Sequence, residues 1–538
     1  MRWSIVLILI CYLWINIPSL HDGLFNVIDN VQVTRVEAMY SELSSGQFPV
    51  RYVDAFGHGA GSFIFKYYSP LVYYLGAVFH YMGFSVIQSV KLIYLLMTAT
   101  GTIGIWVLLK SQRMGLLSST MGTIAFVVSP YLYHDFFHRG SLTEASAFMV
   151  LPWVWWAYMR IMKEASGVNI AVGALSLGAL ILTHSLTGVM AVGTLVILAF
   201  LPPVRMKNTI KIVVAILLGC GLAAFSLIPS LYEKNIIQYE NNSLVQTGYL
   251  DHPVSLVEQF TINPSGKTAY LGFGLMITYF MLIGGYMMFP ALRKKYGKVG
   301  LFVMIIGTGG LVLMLPSGGW LWANIIYLRY FQFPFRLLTV VTTALVVGYV
   351  ILIENFRDSK IFSTLMILII LIPLLFSLQY YRPLGYQYGT KYTVDDPCMT
   401  NTWADEYLTK WTKKCLLKPV PQLIIPLSDN VEVSNTQVLE NGRKIQFEVD
   451  GQGEVQIGKY YFPAWTAMDE NGKELTTVPY GEHGLIKVSI PDKSLITLRM
   501  KPTTADRLGE IVSVITFLFC IGLGLSKFPQ KPAICLFY

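Results

Sequence analysis

Runs of about 20 apolar residues recur along most of this chain, and that pattern limits what it can fold into. In lipid only a helix or a closed barrel satisfies its own backbone, so runs of this length predict membrane-crossing helices. The expected spans are 3–20, 86–109, 116–133, 145–162, 168–184, 186–202, 209–232, 270–290, 299–316, 336–354, 361–379 and 508–526. Of the 538 residues, 54% are hydrophobic and only 13% are charged. A soluble chain carries roughly a quarter charged residues, so an ordinary soluble enzyme and a disordered scaffold are both excluded. A net charge of +9 and a pI near 9.0 would usually raise nucleic acid as a partner. Here the basic residues sit in short loops between apolar runs, where they report topology, so membrane lipid is expected as a partner and nucleic acid is not.

Those loops fix an orientation. Lys110 and Arg113 follow span two, Arg160 and Lys163 span four, and Arg205, Lys207 and Lys211 span six. Arg293, Lys294, Lys295 and Lys298 follow span eight, Arg357 and Lys360 span ten, and Lys527 and Lys531 span twelve. With the N-terminus inside, every cluster falls in the cytoplasm, and both termini are cytoplasmic. The first run follows Arg2 and ends without a small-x-small cleavage site, so it is expected to remain as a span. The stretch 67–82 is short and rich in tyrosine, and crossing there would invert every later loop. It is expected to lie at the outer interface as a re-entrant or surface helix.

This places 21–66, 134–144, 233–269, 317–335 and 380–507 outside. From about 421 the last of these alternates in short runs (VEVSN, KIQFEVD, EVQIGKYYF, LIKVSI, SLITLRM). Turn signals at Glu440-Asn441-Gly442, Asp450-Gly451, Glu470-Asn471-Gly472 and Gly481-Glu482 separate them. The expected organisation is a transmembrane domain over 1–379, an extracytoplasmic all-β domain within 380–507, and a final span with tail over 508–538. Cys11, Cys220 and Cys520 lie in apolar runs and Cys535 in the tail. Cys398 and Cys415 can form a disulfide if their segment is extracytoplasmic.

Ionisable residues concentrate at the outer mouths. Segment 21–66 carries Asp22, Asp29, Arg35, Glu37, Glu42, Arg51 and Asp54. Its stretch 31–43 suits a short helix that Gly46 ends, with Asp29 and Gln32 on one face. The plain alternative is a solvated loop with Asp29 as an N-cap. Segment 134–144 holds Asp135, His138, Arg139 and Glu144, which are either functional groups at membrane depth or ion pairs that close the loop. His134 and His138 are four apart but lack the context of a metal motif. Arg329 and Arg336, in LRYFQFPFR before span ten, could hold a phosphate or simply snorkel to the interface. His184 reads as a hairpin residue, and Lys91 has no evident role.

Several short motifs run in order along the chain. Asp29-Asn30-Val31-Gln32-Val33-Thr34-Arg35 is followed by Gly46-Gln47-Phe48-Pro49-Val50-Arg51-Tyr52, then by a glycine-rich stretch and Ser69-Pro70-Leu71-Val72-Tyr73-Tyr74. Ser129-Pro130-Tyr131, Asp135, Arg139-Gly140 and Glu144 come next, then Phe331-Gln332-Phe333-Pro334-Phe335-Arg336 and Tyr461-Phe462-Pro463-Ala464-Trp465. Together they resemble the bacterial membrane proteins called 6-pyruvoyl-tetrahydropterin synthase-related, within the broader GT-C class of glycosyltransferases. The family pattern is HDD-x-Q-x-x-R, G-Q-x-P-x-R-W, SPY…D…RG…E, QFPWR and YFPGW. This chain departs from it at Ile28 in place of the histidine, Asn30 in place of the second acid, and Lys66 within the aromatic run.

The resemblance implies a GT-C-like bundle in a bacterial plasma membrane. It implies transfer of a sugar from a polyprenyl-phosphate carrier to a cell-envelope glycan, lipid or protein on the outer face. Asp29 would be the catalytic base, with Asp135 and Glu144 as further catalytic acids. Arg139, Arg336 and Arg329 would bind donor phosphate, and Gln32, Arg35, Arg51 and Asp22 would support them. Asp22 directly follows span one, where a charge can mark the interface, so Asp29 is preferred as the base. A divalent metal, Mg or Mn, is left open, with Asp29, Asp135 or Glu144 as its ligands. Two other classes fit the same hydrophobicity: a transporter or flippase of lipid-linked sugars, and a non-catalytic envelope-assembly protein.

Overall fold

A computed structural model describes residues 2–201, 206–251, 255–260, 271–377, 381–388, 396–402 and 404–525. Arg205, the tail lysines Lys527 and Lys531, Cys535 and the ends of several expected spans lie outside the described residues. The chain is a mainly helical bundle followed by two antiparallel sheets and a last helix. Helices occupy the described part of each expected span, but they differ in length. Val86–Ser111, Leu116–Arg139, Leu292–Met314, Pro334–Asn355 and Thr504–Leu525 are long and apolar enough to cross a bilayer. Arg2–Ile15, Gly167–Thr183, Ser185–Phe200 and Phe273–Met288 hold 14, 17, 16 and 16 residues, below the roughly 20 that a straight span needs. Helix length therefore does not establish a count of twelve.

Two expected segments take a different form. The run 209–232 is two helices, Asn208–Leu222 and Ala224–Tyr232, bent by 78°. The backbone groups freed at the bend find a partner in the last helix. Ser513 Oγ accepts from Phe225 N at 2.9 Å and donates toward Gly221 O at 3.2 Å and Leu222 O at 3.1 Å. A side chain from a neighbouring helix is what makes such a break tolerable in lipid. The second is 134–144, expected as a loop. His134–Arg139 instead continues the preceding helix as a buried π-helical turn. Gly140, at φ +75°, ends it. The stretch 67–82 contains the helix Leu71–Tyr81, packed through Gly76 against Val36 and Ile93.

The expected strand runs form, with Lys444–Asp450, Leu485–Ile490 and Ser494–Met500 among them. One sheet joins Ile424–Pro426, Gly453–Tyr460, Leu485–Ile490 and Thr477–Tyr480 in that order. The other joins Glu432–Leu439, Lys444–Asp450, Ser494–Met500, Trp465–Met468 and Glu474–Leu475. Alternation puts Ile445, Phe447, Ile496 and Leu498 of one sheet and Val455, Ile457, Ile486 and Val488 of the other into one buried core. Positive φ at Glu440, Asn441, Gly442, Gly451, Gly472 and Gly481 marks the expected turns.

The segment after the first helix enters that core. Phe63 stacks on Phe462 at 4.0 Å and Tyr52 meets Trp465 at 5.5 Å. Lys459 Nζ contacts Asp54 Oδ1 at 2.5 Å and Gly59 O at 2.7 Å. Beside this contact, Lys66 Nζ is buried between Glu233 Oε2 at 2.5 Å and Asp506 Oδ2 at 2.9 Å. Arg51 reaches Asp506 at 2.9 Å and Glu510 at 2.8 Å. Lys66 thus answers two buried carboxylates from distant helices, which accounts for a cation within an aromatic run. Lys66→Met would leave Glu233 buried without its cation, and breaking a buried pair costs about 3–5 kcal/mol. Thermal unfolding of the purified protein should show a lowered midpoint, and an unchanged midpoint would count against this clamp.

Candidate functional site

The helix Gln32–Ser44 starts at Val31, with no side-chain cap. Asp29 is therefore free of the capping role that was its plain reading. Instead Ile28 N donates to His138 O at 3.0 Å and Asp29 N to Arg139 O at 2.7 Å, so the strand-like turn 28–29 runs along the π-helical turn. Gln32 Nε2 donates to Gly140 O at 3.0 Å, and Gln32 Oε1 accepts from Tyr73 at 2.9 Å. These bonds aim Asp29 into a cavity of about 370 Å³. Among the described residues its carboxylate has no hydrogen-bond or ion-pair partner, and it shares the cavity with Arg35, Arg139, Arg336 and Glu406.

The arginines are held from below. Arg139 Nη1 lies 3.0 Å from Asp135 Oδ1 and 2.7 Å from Glu144 Oε2, and Arg336 Nε lies 3.0 Å from the same Glu144 oxygen. Tyr131 donates to Glu144 Oε1 at 3.0 Å. Arg336 Nη1 also donates to Phe331 O at 2.8 Å and Gln332 Oε1 at 2.9 Å. The rings of Phe333 and Phe335 flank Arg139 at 5.8 and 5.2 Å, so the QFPF turn supplies apolar walls around the cations. Arg35 donates Nε to Asn401 O at 3.1 Å and Nη1 to Tyr73 at 3.2 Å, and lies 4.5 Å over Tyr68. Ser185 and Leu186, at the start of the helix Ser185–Phe200, also line the cavity and turn its amino end toward it.

The expected site residues divide accordingly. Asp29, Arg35, Arg139 and Arg336 share the cavity. Asp135 and Glu144, expected as catalytic, are fully buried beneath it and have their carboxylates turned to the arginines. Asp135 Oδ2 is buried without a hydrogen bond. Arg329, expected on phosphate, instead turns to the carbonyls of Trp322 and Ala323 and to Gln246. Arg51 belongs to the Asp506 clamp. Asp22 is exposed, and its carbonyl with that of His21 receives Lys91, which gives that lysine its partner. His184 caps the helix that follows it, bonding Thr187, and also faces the cavity.

The donors do not fit a resident divalent cation. Glu144 and Asp135 are engaged by arginine, and three guanidiniums stand in the same cavity as Asp29. Among the described residues, three possible ligand groups come within 4.8 Å only at Cys398, Asp405 and Cys415. There the two sulfurs are joined in a disulfide.

Other cavity residues carry no motif. The disulfide between Cys398 and Cys415 closes a loop that carries Glu406 and Tyr407, both of which line the cavity. Burial pushes the Glu406 carboxyl up, against the hydrogen bond from Ala404 N and the nearby Arg35. Burial likewise raises the Tyr407 phenol. Tyr67, Tyr239, Tyr330 and Lys234 complete that wall. Their sequence surroundings carry no local signal, and only the folded chain gathers them.

A helical membrane bundle with a charged cavity beside a β-rich segment is the class that these elements define. Residues 65–384 match the 6-pyruvoyl-tetrahydropterin synthase related domain, described as a membrane protein. The chain belongs to that family. Among solved structures it is similar to the arabinofuranosyltransferase AftD from Mycobacteria, with 13% identity and a TM-score of 0.45 over 70% of this chain and 26% of that one. It is also similar to the oligosaccharyltransferase of Archaeoglobus fulgidus, with 10% identity and a TM-score of 0.46 over 72% of this chain and 57% of that one. The chain thus spans between a quarter and three fifths of the length of those proteins. No curated protein matches it.

Gly140 sets the register of Asp29. A Cβ there would meet Val27 Cγ2 at 2.4 Å and would sit at a left-handed φ of +75°. Gly140→Ala should cost at least the roughly 1–2 kcal/mol of that backbone conformation. The expected result is a lower thermal midpoint, and an unaltered midpoint would show that the turn relaxes freely.

Proposed function

We propose that this cavity transfers a sugar from a polyprenyl-phosphate carrier to a hydroxyl acceptor of the cell envelope, in the manner of GT-C glycosyltransferases. The observation that carries the reading is the pairing of an unpartnered carboxylate, Asp29, with two buried-anchored guanidiniums, Arg139 and Arg336, in one cavity. Asp29 takes the proton of the acceptor hydroxyl as its oxygen bonds to the anomeric carbon. The bond from that carbon to the phosphate oxygen breaks, and the charge left on phosphate falls to Arg139 and Arg336. Attack opposite the leaving group inverts the anomeric centre. Because Glu144 and Asp135 already balance the arginines from beneath, a phosphate can bind the remaining N–H groups without undoing those pairs.

The loop lysines and arginines support an outer-facing cavity, with both termini in the cytoplasm and the β-rich segment outside. Cysteine placed at Ser434 should react with an impermeant reagent in intact cells, and cysteine placed at Lys295 should not. The reverse pattern would turn the cavity to the cytoplasm and remove the reading with it.

A flippase of lipid-linked sugars could use the same arginines, and the 78° bend between Asn208–Leu222 and Ala224–Tyr232 is the observation in its favour. Asp29→Asn separates the two. A general base supplies about 10²–10⁴-fold in rate, so sugar transfer should fall by at least 10²-fold while binding of undecaprenyl phosphate persists. Asp22→Asn should lose far less. Transfer that survives in Asp29→Asn would exclude the base role.

Arg336→Lys keeps the charge and loses the planar fork. It should weaken undecaprenyl phosphate binding less than Arg336→Ala does. Wild-type affinity in both variants would place the phosphate elsewhere.

A further inference from the structure

Four tyrosine rings from four distant segments follow one another along the cavity wall. Tyr67 and Tyr407 lie 6.3 Å apart between centroids at 21°, Tyr407 and Tyr239 5.9 Å apart at 28°, and Tyr239 and Tyr330 6.0 Å apart at 11°. All four line the cavity. Their polar tips are largely spoken for. Tyr67 donates to Glu233 O at 3.2 Å, Tyr239 to Tyr330 O at 3.1 Å, and Tyr330 to Glu240. The wall offers the cavity tyrosine rings, with Lys234 beside Tyr330. Next to Tyr407 stands Glu406, whose Oε2 accepts from Ala404 N at 3.2 Å. No side chain hydrogen-bonds to that carboxylate among the described residues.

Aromatic rings beside a carboxylate acceptor suit one ligand chemistry. A sugar ring has a C–H face that packs on an aromatic face, and hydroxyls at its rim that donate to carboxylate oxygens. A polyprenyl chain has no hydroxyls for Glu406. We infer that Tyr67, Tyr239, Tyr330 and Tyr407 with Glu406 form a binding subsite for a sugar ring within this cavity. The subsite deepens the transferase reading, and it takes either the sugar carried by the donor or a sugar of the acceptor glycan. Glu406 orients the ring through its hydroxyls, and Asp29 remains the only carboxylate asked to move a proton.

Saturation-transfer NMR on the full chain in lipid nanodiscs tests this without requiring turnover. The probes are methyl glycosides of glucopyranose, mannopyranose and galactofuranose. At least one should receive saturation at its ring C–H protons. Tyr407→Leu and Glu406→Gln should each weaken binding by about tenfold, the size of one lost stacking or charge-assisted contact. Tyr407→Phe, which keeps the ring, should retain it. Glu406→Gln preserves shape and charge-independent packing, so it reports on the subsite even if Tyr407→Leu misfolds. Adding undecaprenyl phosphate and then undecaprenyl phosphoglucose identifies the source. Displacement by the second alone assigns the subsite to the donor sugar, and persistence with both assigns it to the acceptor. No transfer to any glycoside, or equal transfer in Glu406→Gln and wild type, overturns the subsite. The transferase reading is judged separately, by the response of sugar transfer to Asp29→Asn.

Discussion

The buried carboxylate of Glu144 is the interaction on which the cavity depends. One of its oxygens meets both Arg139 and Arg336, at 2.7 and 3.0 Å, while Tyr131 donates to the other. Removing three charges from water is expensive, and only their mutual attraction with well-made hydrogen bonds offsets it. The arrangement fixes where the two helices Leu142–Lys163 and Leu338–Asn355 begin relative to each other. It also explains the π-helical turn. The extra residue in that turn swings Arg139 from the end of its helix to Glu144, and Asp135 follows one turn behind at 3.0 Å. The carbonyls of His138 and Arg139 then serve as the rail on which Ile28 and Asp29 are hung.

A second set of contacts holds the cavity's far wall. The β core takes in Tyr52 and Phe63, so the segment after the first helix is fastened to the sheets at one end and to the bundle at the other. Lys66, Glu233, Asp506 and Arg51 link this segment to the helices on either side of it. The disulfide between Cys398 and Cys415 confines the stretch that brings Asn401 to Arg35 and Glu406 to the cavity. Arg35 is thus held by a carbonyl from 366 residues away. The cavity is assembled by tertiary structure, and no single segment could form it.

This assembly decides what the sequence made legible. The apolar runs and the turn residues were readable because each reports a local preference: burial in lipid for the former, left-handed backbone for Asn441-Gly442 and Gly472. Asp29, Arg139 and Arg336 could be singled out because they sit inside short motifs. Asp135 and Glu144 carried the same signal, an ionisable group at membrane depth, and the sequence held no means of telling a group that faces a cavity from one that anchors its neighbour. Glu406, Tyr407 and Tyr239 had no motif, and their importance arises only from being brought together. The bend in 209–232 was hidden for a similar reason. It contains no proline at the break, and the hydroxyl that satisfies it belongs to Ser513, almost 300 residues later.

The electrostatics of the cavity follow from which charges are answered and which are not. Arg139 and Arg336 have their counter-ions buried beside them, and both arginines line the cavity. Asp29 has the opposite placement, lying in the same space with no cation bonded to it. A base salt-bridged to arginine would be a poor proton acceptor, because the pair stabilises the unprotonated form. Glu144, rather than Asp29, pairs with the arginines. The structure thereby keeps the paired charges of Arg139, Arg336 and Glu144 apart from the carboxylate of Asp29, which has no bonded partner among the described residues. One fully buried acid does this by taking both guanidiniums on a single oxygen.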